Sequence, residues 1–321
     1  MSTISDDNFL SSQISNNNSE LHKKIHKEEN NEDQLFSSKN INSSLFFSLP
    51  LFSYNDNKKA QFSRANILLS FKSLKLTKQL EKNLIGISKE VINYIINELS
   101  GLFRESIKNK NGNYFCSNLI KKCNKEQRIK IIKELNNALN EDCIDQFGTY
   151  PIQNLIEIAS SEEEFKLILS SFNDINSIIM PSLHKYGTYV IQKLIIHIPE
   201  ELRMNFNLIF VDFICILSRD TYGVLAVKQF VTYSKDQNII MKFTNIIINN
   251  FINICENKYG NYLIQYLLQI WWNKKKGEFL RKIILSKFSI LAENEYSSHI
   301  CELFIKLCNG IIDSKIIKGK K

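Results

Sequence analysis

Apolar residues recur along this chain at two spacings, one typical of a helix and one much longer. In six segments a residue that we call the anchor is followed, with few exceptions, by apolar residues three, six, seven and ten positions later. That spacing predicts the buried stripe of an amphipathic helix. The anchors are Asn113, Thr149, Thr188, Val224, Asn261 and Ser298, spaced by 36, 39, 36, 37 and 37 residues. A period of this length indicates repeated structural units.

A second helix is predicted after each of several anchor segments. Asn124, Ser161 and Ser234 are each followed three residues later by Gln or Glu, which is the pattern of a capping box, and Pro199 fits a first helical turn. Each unit therefore contains at least two helices. Because one such unit cannot bury its apolar face alone, the predicted fold is all-α, a curved superhelical solenoid with six clear copies over about residues 100–309.

The chain divides by composition into a tail and a repeat domain. Residues 1–60 are rich in Ser, Asn and mixed charge and show no sustained helical period, so we expect a largely disordered tail. Residues 61–321 form the predicted repeat domain. A degenerate first copy around Ser63 and Arg64 is the weaker part of this prediction, because Ser63 lies 50 residues before Asn113.

Charge and cysteine content narrow the class of protein. The net charge is +8, and residues 61–321 carry +10, which suits a polyanionic partner. The seven Cys include no CxxC pair and fall in apolar stretches, as expected of reduced thiols in the cytosol or nucleus. The best apolar run, Leu208 to Leu217, is interrupted by Asp212, so no membrane span is expected. No catalytic, metal or cofactor motif is present, and we expect neither enzymatic activity nor a cofactor.

The anchor and the residue four positions later lie about 40° apart on a helical wheel, so both should point to the same side of the solenoid. The pairs are Asn113/Ser117, Thr149/Gln153, Thr188/Gln192, Val224/Lys228, Asn261/Gln265 and Ser298/Glu302. The residues directly after the anchors are Tyr114, Tyr150, Tyr189, Leu225, Tyr262 and His299. Polar pairs flanked by flat rings, once per unit, are suited to single-stranded RNA. The competing interpretation is that Asn and Gln cap loops while each Tyr packs against the next unit.

These segments resemble Pumilio (PUF) repeats, most specifically in GNYLIQ at 260–265 and SSHICE at 297–302. The resemblance implies that each unit binds one RNA base, with the pair contacting the base edge and the residue between them stacking. It implies uracil for Asn261/Gln265 and guanine for Ser298/Glu302. Guanine offers two adjacent donors, and an ionised Glu is an acceptor-only group that can meet both.

The chain departs from the family pattern in several places. The family usually has eight repeats, and only GIIDSKIIKGKK follows the last helix, which we expect to end near Asn309. Val224, Leu225 and Lys228 are poor base-binding types, because Val has no hydrogen bond to give and Lys is a donor-only group that suits a phosphate. Ser117 should bind its base weakly. The Thr/Gln pairs suggest adenine or uracil without deciding between them.

The function implied by the resemblance is sequence-specific binding of messenger RNA, in 3′ untranslated regions that carry a GU-containing, UGU-like motif. We expect a cytoplasmic monomer that regulates translation or mRNA stability with protein effectors such as deadenylation or translational-repression factors. A nucleolar Pumilio-like ribosome-biogenesis factor, with a nuclear or nucleolar location, is the alternative within RNA binding. A protein-binding armadillo-like solenoid is the alternative of a different class.

Overall fold

The computed structural model describes residues 54–136 and 138–318, and this part of the chain is built from helices in groups of three. Each group has a leading helix, a linking helix and an anchor helix, and we call the group a unit. Residues 1–53 of the expected tail lie outside the described residues. The expected boundary at residue 60 falls inside the first leading helix, Tyr54–Gln61.

Seven units follow one another in the described residues. The leading helices are α1 Tyr54–Gln61, α4 Lys89–Leu99, α7 Lys125–Leu135, α10 Glu162–Leu169, α13 Met204–Asp212, α16 Gln237–Asn249 and α19 Glu278–Ser286, the last preceded by a 3-10 turn at Lys275–Gly277. The linking helices are α2 Arg64–Ser70, α5 Phe103–Lys108, α8 Leu139–Asp142, α11 Ile175–Ser182, α14 Ile214–Leu217, α17 Phe251–Cys255 and α20 Phe288–Glu293. The anchor helices are α3 Leu74–Lys82, α6 Gly112–Lys122, α9 Thr149–Ile158, α12 Gly187–His197, α15 Gly223–Tyr233, α18 Gly260–Trp271 and α21 Ser298–Lys318.

The units stack in chain order, which confirms the predicted solenoid. Each anchor helix packs against the next one from α3 through α21. Their apolar stripes join the leading helices in one continuous hydrophobic core. In α12, for example, Ile191, Leu194 and Ile195 are all buried, as the helical spacing predicts. Burying this stripe between neighbours stabilises every unit by about 25 cal/mol per Å² of apolar surface removed from water.

A short side chain four residues before the anchor caps most anchor helices. Asn109, Asp145, Asp220, Asn257 and Asn294 each accept two hydrogen bonds, from the backbone N–H groups two and three residues later. In α12 the Nδ1 atom of His184 replaces the Asx oxygen, at 3.2 Å from the Tyr186 nitrogen. Such caps satisfy backbone donors that the helix itself leaves unpaired, and each contributes about 1 kcal/mol.

The glycine before most anchors is required by a close approach to the linking helix. A Cβ added at Gly187 would lie 2.7 Å from the carbonyl oxygen of Pro181 and 2.8 Å from its Cα. In the last unit Ser297 takes this place, and its hydroxyl donates to the Leu291 carbonyl at 2.7 Å. The linking helix can therefore pack tightly against the start of the anchor helix.

Two of the predicted starts of leading helices are confirmed and two are wrong. Capping boxes start α7 at Asn124 and α10 at Ser161. Ser234 instead ends α15, and Asp236 caps α16 by accepting from the Asn238 and Ile239 nitrogens. The Pro199 carbonyl opens a separate turn by accepting from the Leu202 and Arg203 N–H groups, and α13 begins only at Met204. An Asx cap closer to the helix thus displaces the predicted start at Ser234.

The degenerate first copy exists, but its anchor is Thr77 and not Ser63. Ser63 caps the linking helix α2. Thr77 lies 36 residues before Asn113, and its anchor helix α3 packs on α6 as later anchor helices pack on each other. Leu80 and Leu84, three and seven residues after Thr77, are buried. The described structure therefore contains one unit more than the clear sequence copies.

The last anchor helix is longer than predicted. α21 runs on to Lys318, beyond the expected end near Asn309. Trp271 and Trp272 are both buried, and the Trp272 ring packs edge-on against Phe304 of α21.

Among the described residues, no helix has the length and apolar content that crossing a membrane would need.

Candidate nucleic-acid interface

In three units the predicted polar pairs are in direct contact. Gln153 donates to the Thr149 hydroxyl at 3.0 Å, and Gln192 donates to the Thr188 hydroxyl at 3.4 Å. Gln265 donates to the Asn261 amide oxygen at 2.8 Å. The members of each pair therefore lie on the same side of the helix, as the wheel geometry predicts. In the described structure no hydrogen bond joins Asn113 to Ser117, or Ser298 to Glu302.

The anchor side chains are buried, except in the last unit. Asn113, Thr149, Thr188, Val224 and Asn261 are at most 4% exposed. Burial is tolerated because the polar anchors are hydrogen-bonded inside the protein.

The Asn and Thr anchors satisfy their hydrogen bonds in different ways. The Asn261 amide donates to the carbonyl oxygens of Asn257 and Lys258 at 3.1 and 2.8 Å, and Asn113 makes the equivalent bonds. The hydroxyls of Thr149 and Thr188 donate to the carbonyl oxygens of Tyr186 and Tyr222 in the next unit. Loop capping, the competing interpretation of the Asn anchors, is thus observed.

In the three Gln-containing pairs, the residue four positions after the anchor is more exposed than the anchor. Gln153, Gln192 and Gln265 are partly exposed, while their partner anchors are not. Each Gln uses one amide hydrogen on its anchor and keeps its amide oxygen for a ligand. The anchor therefore orients the Gln side chain, and the Gln presents the polar atoms.

The residues after the anchors form a row of flat or apolar side chains. Tyr262 is 53% exposed and Leu225 is 37% exposed. Tyr114, Tyr150 and Tyr189 are partly buried. Burial, reinforced by neighbouring tyrosines, raises the pKa of Tyr150, and burial also raises the pKa of Tyr189. Both phenols are therefore neutral at physiological pH and present rings without charge.

The last unit is the most open of the row. The Glu302 and His299 side chains are 62% and 56% exposed, and His299 Nδ1 lies 3.9 Å from a Glu302 oxygen. Ser298 is partly buried, and its hydroxyl donates to the Glu295 carbonyl at 3.0 Å. A carboxylate thus stands at the position that Gln occupies in three other units.

The unit of Val224 differs from the others in chemistry. Lys228, four residues after Val224, is partly buried, and its Nζ lies 5.9 Å from the Tyr262 ring centroid and 5.6 Å from the Tyr266 ring centroid. Burial lowers the pKa of Lys228 from its ordinary value. Its ammonium therefore lies among aromatic faces and not in bulk solvent.

The first unit adds three residues that the sequence analysis missed, namely Thr77, Lys78 and Glu81. The Thr77 hydroxyl lies 2.8 Å from the Ser70 carbonyl oxygen and 3.1 Å from the Ser73 carbonyl oxygen, and its one hydrogen can be donated to either. Glu81 accepts from the Asn118 amide of the next unit at 3.1 Å, and burial raises its pKa. The spacing of 36 residues to Asn113 and the apolar Leu80 and Leu84 were available as signals in the sequence.

Two exposed lysines lie at the edge of the row, three residues before an anchor. Lys185 Nζ is 5.0 Å from the Tyr186 ring centroid, and Lys258 Nζ is 5.6 Å from the Tyr259 ring centroid. They place positive charge beside the polar pairs. Among the described residues there is no group of three or more His, Cys, Asp or Glu side chains that could hold a metal ion.

These features define a class, the helical-repeat solenoids with one polar pair and one stacking position per unit. Residues 107–135, 143–170, 182–205 and 250–270 match the model of the Pumilio-family RNA binding repeat. Four segments of the chain are therefore similar to Pumilio-family repeats. The matched segments leave out the anchor helices of Thr77, Val224 and Ser298, which the structure nonetheless builds in the same way.

Similar solved structures have the same fold. The Puf4 RNA binding domain, bound to an HO endonuclease RNA 3′ UTR recognition sequence, is 19% identical with a TM-score of 0.69, over 74% of this chain and 73% of that one. The RNA-binding domain of yeast Puf5p bound to SMX2 RNA is 22% identical with a TM-score of 0.67, over 78% and 71%.

A curated relative is similar over a shorter stretch. The putative pumilio homolog 13 of Arabidopsis thaliana is 30% identical over 82 residues, which is 26% of this chain. The match spans only 15% of that relative's length.

Proposed function

We propose that this protein binds single-stranded RNA sequence-specifically, with one base at each of the six anchor helices from α6 to α21. The proposal rests on the regular series of polar pairs and of the flat side chains next to them. The polar pairs and flat side chains recur every 36 to 39 residues on helices that pack against one another in order. A strand laid along this row would meet one hydrogen-bonding site and one stacking face per unit.

The chemistry of the row favours RNA over a protein ligand. The partly exposed Gln side chains each carry a donor and an acceptor, as the mixed edges of bases require, and the Tyr262 ring offers a stacking face. Lys185 and Lys258 lie at the edge of the row, where phosphates of a bound strand would pass. A protein-binding solenoid would need none of these regular polar pairs.

The proposed target reads 5′-G-U-N-(A/U)-(A/U)-N-3′, with the C-terminal units at the RNA 5′ end as in the family. Glu302 supports guanine at the first base, because its exposed carboxylate can accept from both guanine donors. Gln265, oriented by Asn261, supports uracil at the second base.

We infer a role in post-transcriptional regulation through 3′ untranslated regions of messenger RNA. The supporting observation is that structures similar to this one contain such RNAs, among them a Puf3 RNA binding domain bound to a Cox17 RNA 3′ UTR recognition sequence. In this proposal the protein is a cytoplasmic monomer without enzymatic activity, and its protein effectors lower translation or mRNA stability.

Binding is tested directly by fluorescence anisotropy with a labelled RNA of about ten nucleotides that contains the target. The same RNA with G and U exchanged is the control for sequence, and a DNA of the target sequence is the control for sugar. The expected result is preferential binding of the target RNA, weakening as salt rises because phosphate contacts release counterions. Equal binding of the exchanged RNA, or no binding of any RNA, would contradict the proposal.

A further inference from the structure

Among the residues four positions after the anchors of the six clear copies, Lys228 is the one whose side chain can donate hydrogen bonds but cannot accept them. The residues at the same position in the other clear copies are Ser117, Gln153, Gln192, Gln265 and Glu302, all of which can accept a hydrogen bond. Its anchor, Val224, is buried and has no polar side-chain atom. A ligand that reaches this unit therefore meets a single ammonium group and no acceptor from the pair.

Among the described residues, no protein atom accepts a hydrogen bond from the partly exposed Lys228 ammonium. Its Nζ faces the rings of Tyr262 and Tyr266 at 5.9 and 5.6 Å, and among the described residues no carboxylate lies within ion-pair distance of it. Burial is the cause that lowers its pKa. A partly desolvated ammonium without an acceptor is destabilising, and a ligand acceptor would relieve that penalty.

The position of the ammonium points to a base edge and not to a phosphate. Tyr262 is the stacking residue of the next unit and is 53% exposed, so a base stacked on its ring would bring its edge beside Lys228 Nζ. Leu225, 37% exposed, would lie on the other side of that base. Phosphates have better partners in the exposed Lys185 and Lys258 at the edge of the row.

We propose that the unit of Val224, Leu225 and Lys228 selects cytosine, at the third base from the 5′ end of the target. This inference rests on the proposed RNA-binding function. Cytosine offers two adjacent acceptors, N3 and O2. Guanine offers two adjacent donors, which suit the acceptor-only Glu302, so the two bases call for opposite side-chain types. Uracil has an N–H between its two carbonyls, adenine has an amino group beside its one acceptor, and guanine has one acceptor beside an N–H. On the Watson–Crick edge, a donor-only ammonium can therefore make two hydrogen bonds without facing a donor only on cytosine.

The test uses four RNAs of the form 5′-G-U-N, identical except that N is A, C, G or U. Wild-type protein should bind the C form at least about tenfold more tightly than each other form, by analogy with specific contacts between charged side chains and base edges. Lys228→Met should bring the four affinities to within about threefold of one another. Changing Val224→Asn together with Lys228→Gln recreates the pair of Asn261 and Gln265 and should move the preference to U.

Lys242→Met is the matched control, because it removes the same charge from the leading helix α16, where Lys242 pairs with Asp212 at 2.6 Å. It should leave the preference for C unchanged. Equal wild-type affinity for all four RNAs overturns the inference while leaving RNA binding intact, and it needs no variant that could misfold. A uniform loss with Lys228→Met and a shallower salt dependence would assign Lys228 to a phosphate. Absence of binding to all four RNAs would remove the proposed function as well.

Discussion

In the pair of Asn261 and Gln265, the buried member orients the side chain of the partly exposed member. Asn261 donates both amide hydrogens to loop carbonyls, and its oxygen accepts from Gln265. A side chain fixed by three hydrogen bonds holds its partner in one orientation, so Gln265 presents its remaining polar atoms with little loss of entropy on binding. The buried anchor thus acts on specificity through its neighbour.

Replacing Tyr262 by Ala tests the stacking row. The half-exposed ring should contribute about 1–3 kcal/mol of base stacking, so the Kd should rise about fivefold to 150-fold on every RNA that binds. Anisotropy titrations with several RNAs measure this, and Tyr233→Ala, which removes a 41% exposed tyrosine at the end of α15, is the control. A loss confined to RNAs with uracil at one position would show that the ring does not act by stacking.

Changing Ser298→Asn and Glu302→Gln tests the base-edge chemistry. The double variant replaces an acceptor-only carboxylate by the mixed pair found at Asn261 and Gln265, so preference at the first base should move from G to U by about 1–3 kcal/mol. Glu302 is largely exposed, and the Glu295 carbonyl is available to the new Asn amide, so stability should hardly change. Titrations with 5′-GU and 5′-UU RNAs measure the effect. An unchanged G preference in a folded variant would exclude Glu302 as the group that contacts the base.

At the scale of single helices, the same polar residues serve both helix starts and contacts between units. Glu164 completes the capping box of α10 and also accepts from Arg128 of the preceding unit at 2.6 Å. Burial alone would raise the pKa of Glu164, but hydrogen bonds from Arg128, Ser161 and the Ser160 N–H hold it below its ordinary value. The Glu164 carboxylate therefore stabilises both the start of α10 and its contact with α7.

Glu164→Gln should destabilise the protein by about 1.5–3 kcal/mol near neutral pH, the range for hydrogen bonds to charged groups. Because the folded pKa is lowered, the contribution is complete above the ordinary value of 4.5 and disappears as pH falls through the folded value. Chemical unfolding of both proteins between about pH 7 and pH 3 should show their difference shrinking. Glu163→Gln, an exposed change on the same helix, is the control and should stay within about 0.5 kcal/mol of wild type. A difference that persists at low pH would show that the charge is not its source.

Sequence patterns predict these helices where local chemistry decides and fail where contacts between units decide. The stripe after Asn261 and the boxes at Asn124 and Ser161 were predictable because propensity, spacing and capping agree. The unit of Thr77 was hidden, because Leu76 stands where most copies have Gly and Lys78 where most have Tyr. The burial of Asn261 could not be predicted either, because the carbonyls that satisfy it come from the loop geometry.

Over the whole molecule, we expect the units of the solenoid to bind successive bases along one RNA strand. The packing of each anchor helix on the next fixes the distance between neighbouring pairs, so base order should follow unit order. The excess of positive charge over residues 61–321 supplies attraction for the phosphates without specifying sequence. We therefore expect specificity to depend on the polar pairs, and affinity to depend on the pairs together with the charge.

Base-by-base binding can be tested by selecting bound sequences from a random RNA pool. We expect an enriched motif of the form 5′-G-U-N-(A/U)-(A/U)-N-3′, in which G corresponds to Glu302 and the following U to Gln265. The protein with Ser298→Asn and Glu302→Gln, carried through the same selection, should enrich U in place of that G. A selected pool without a GU dinucleotide in its consensus, or without any enrichment, would show that these units do not bind RNA bases in the proposed order.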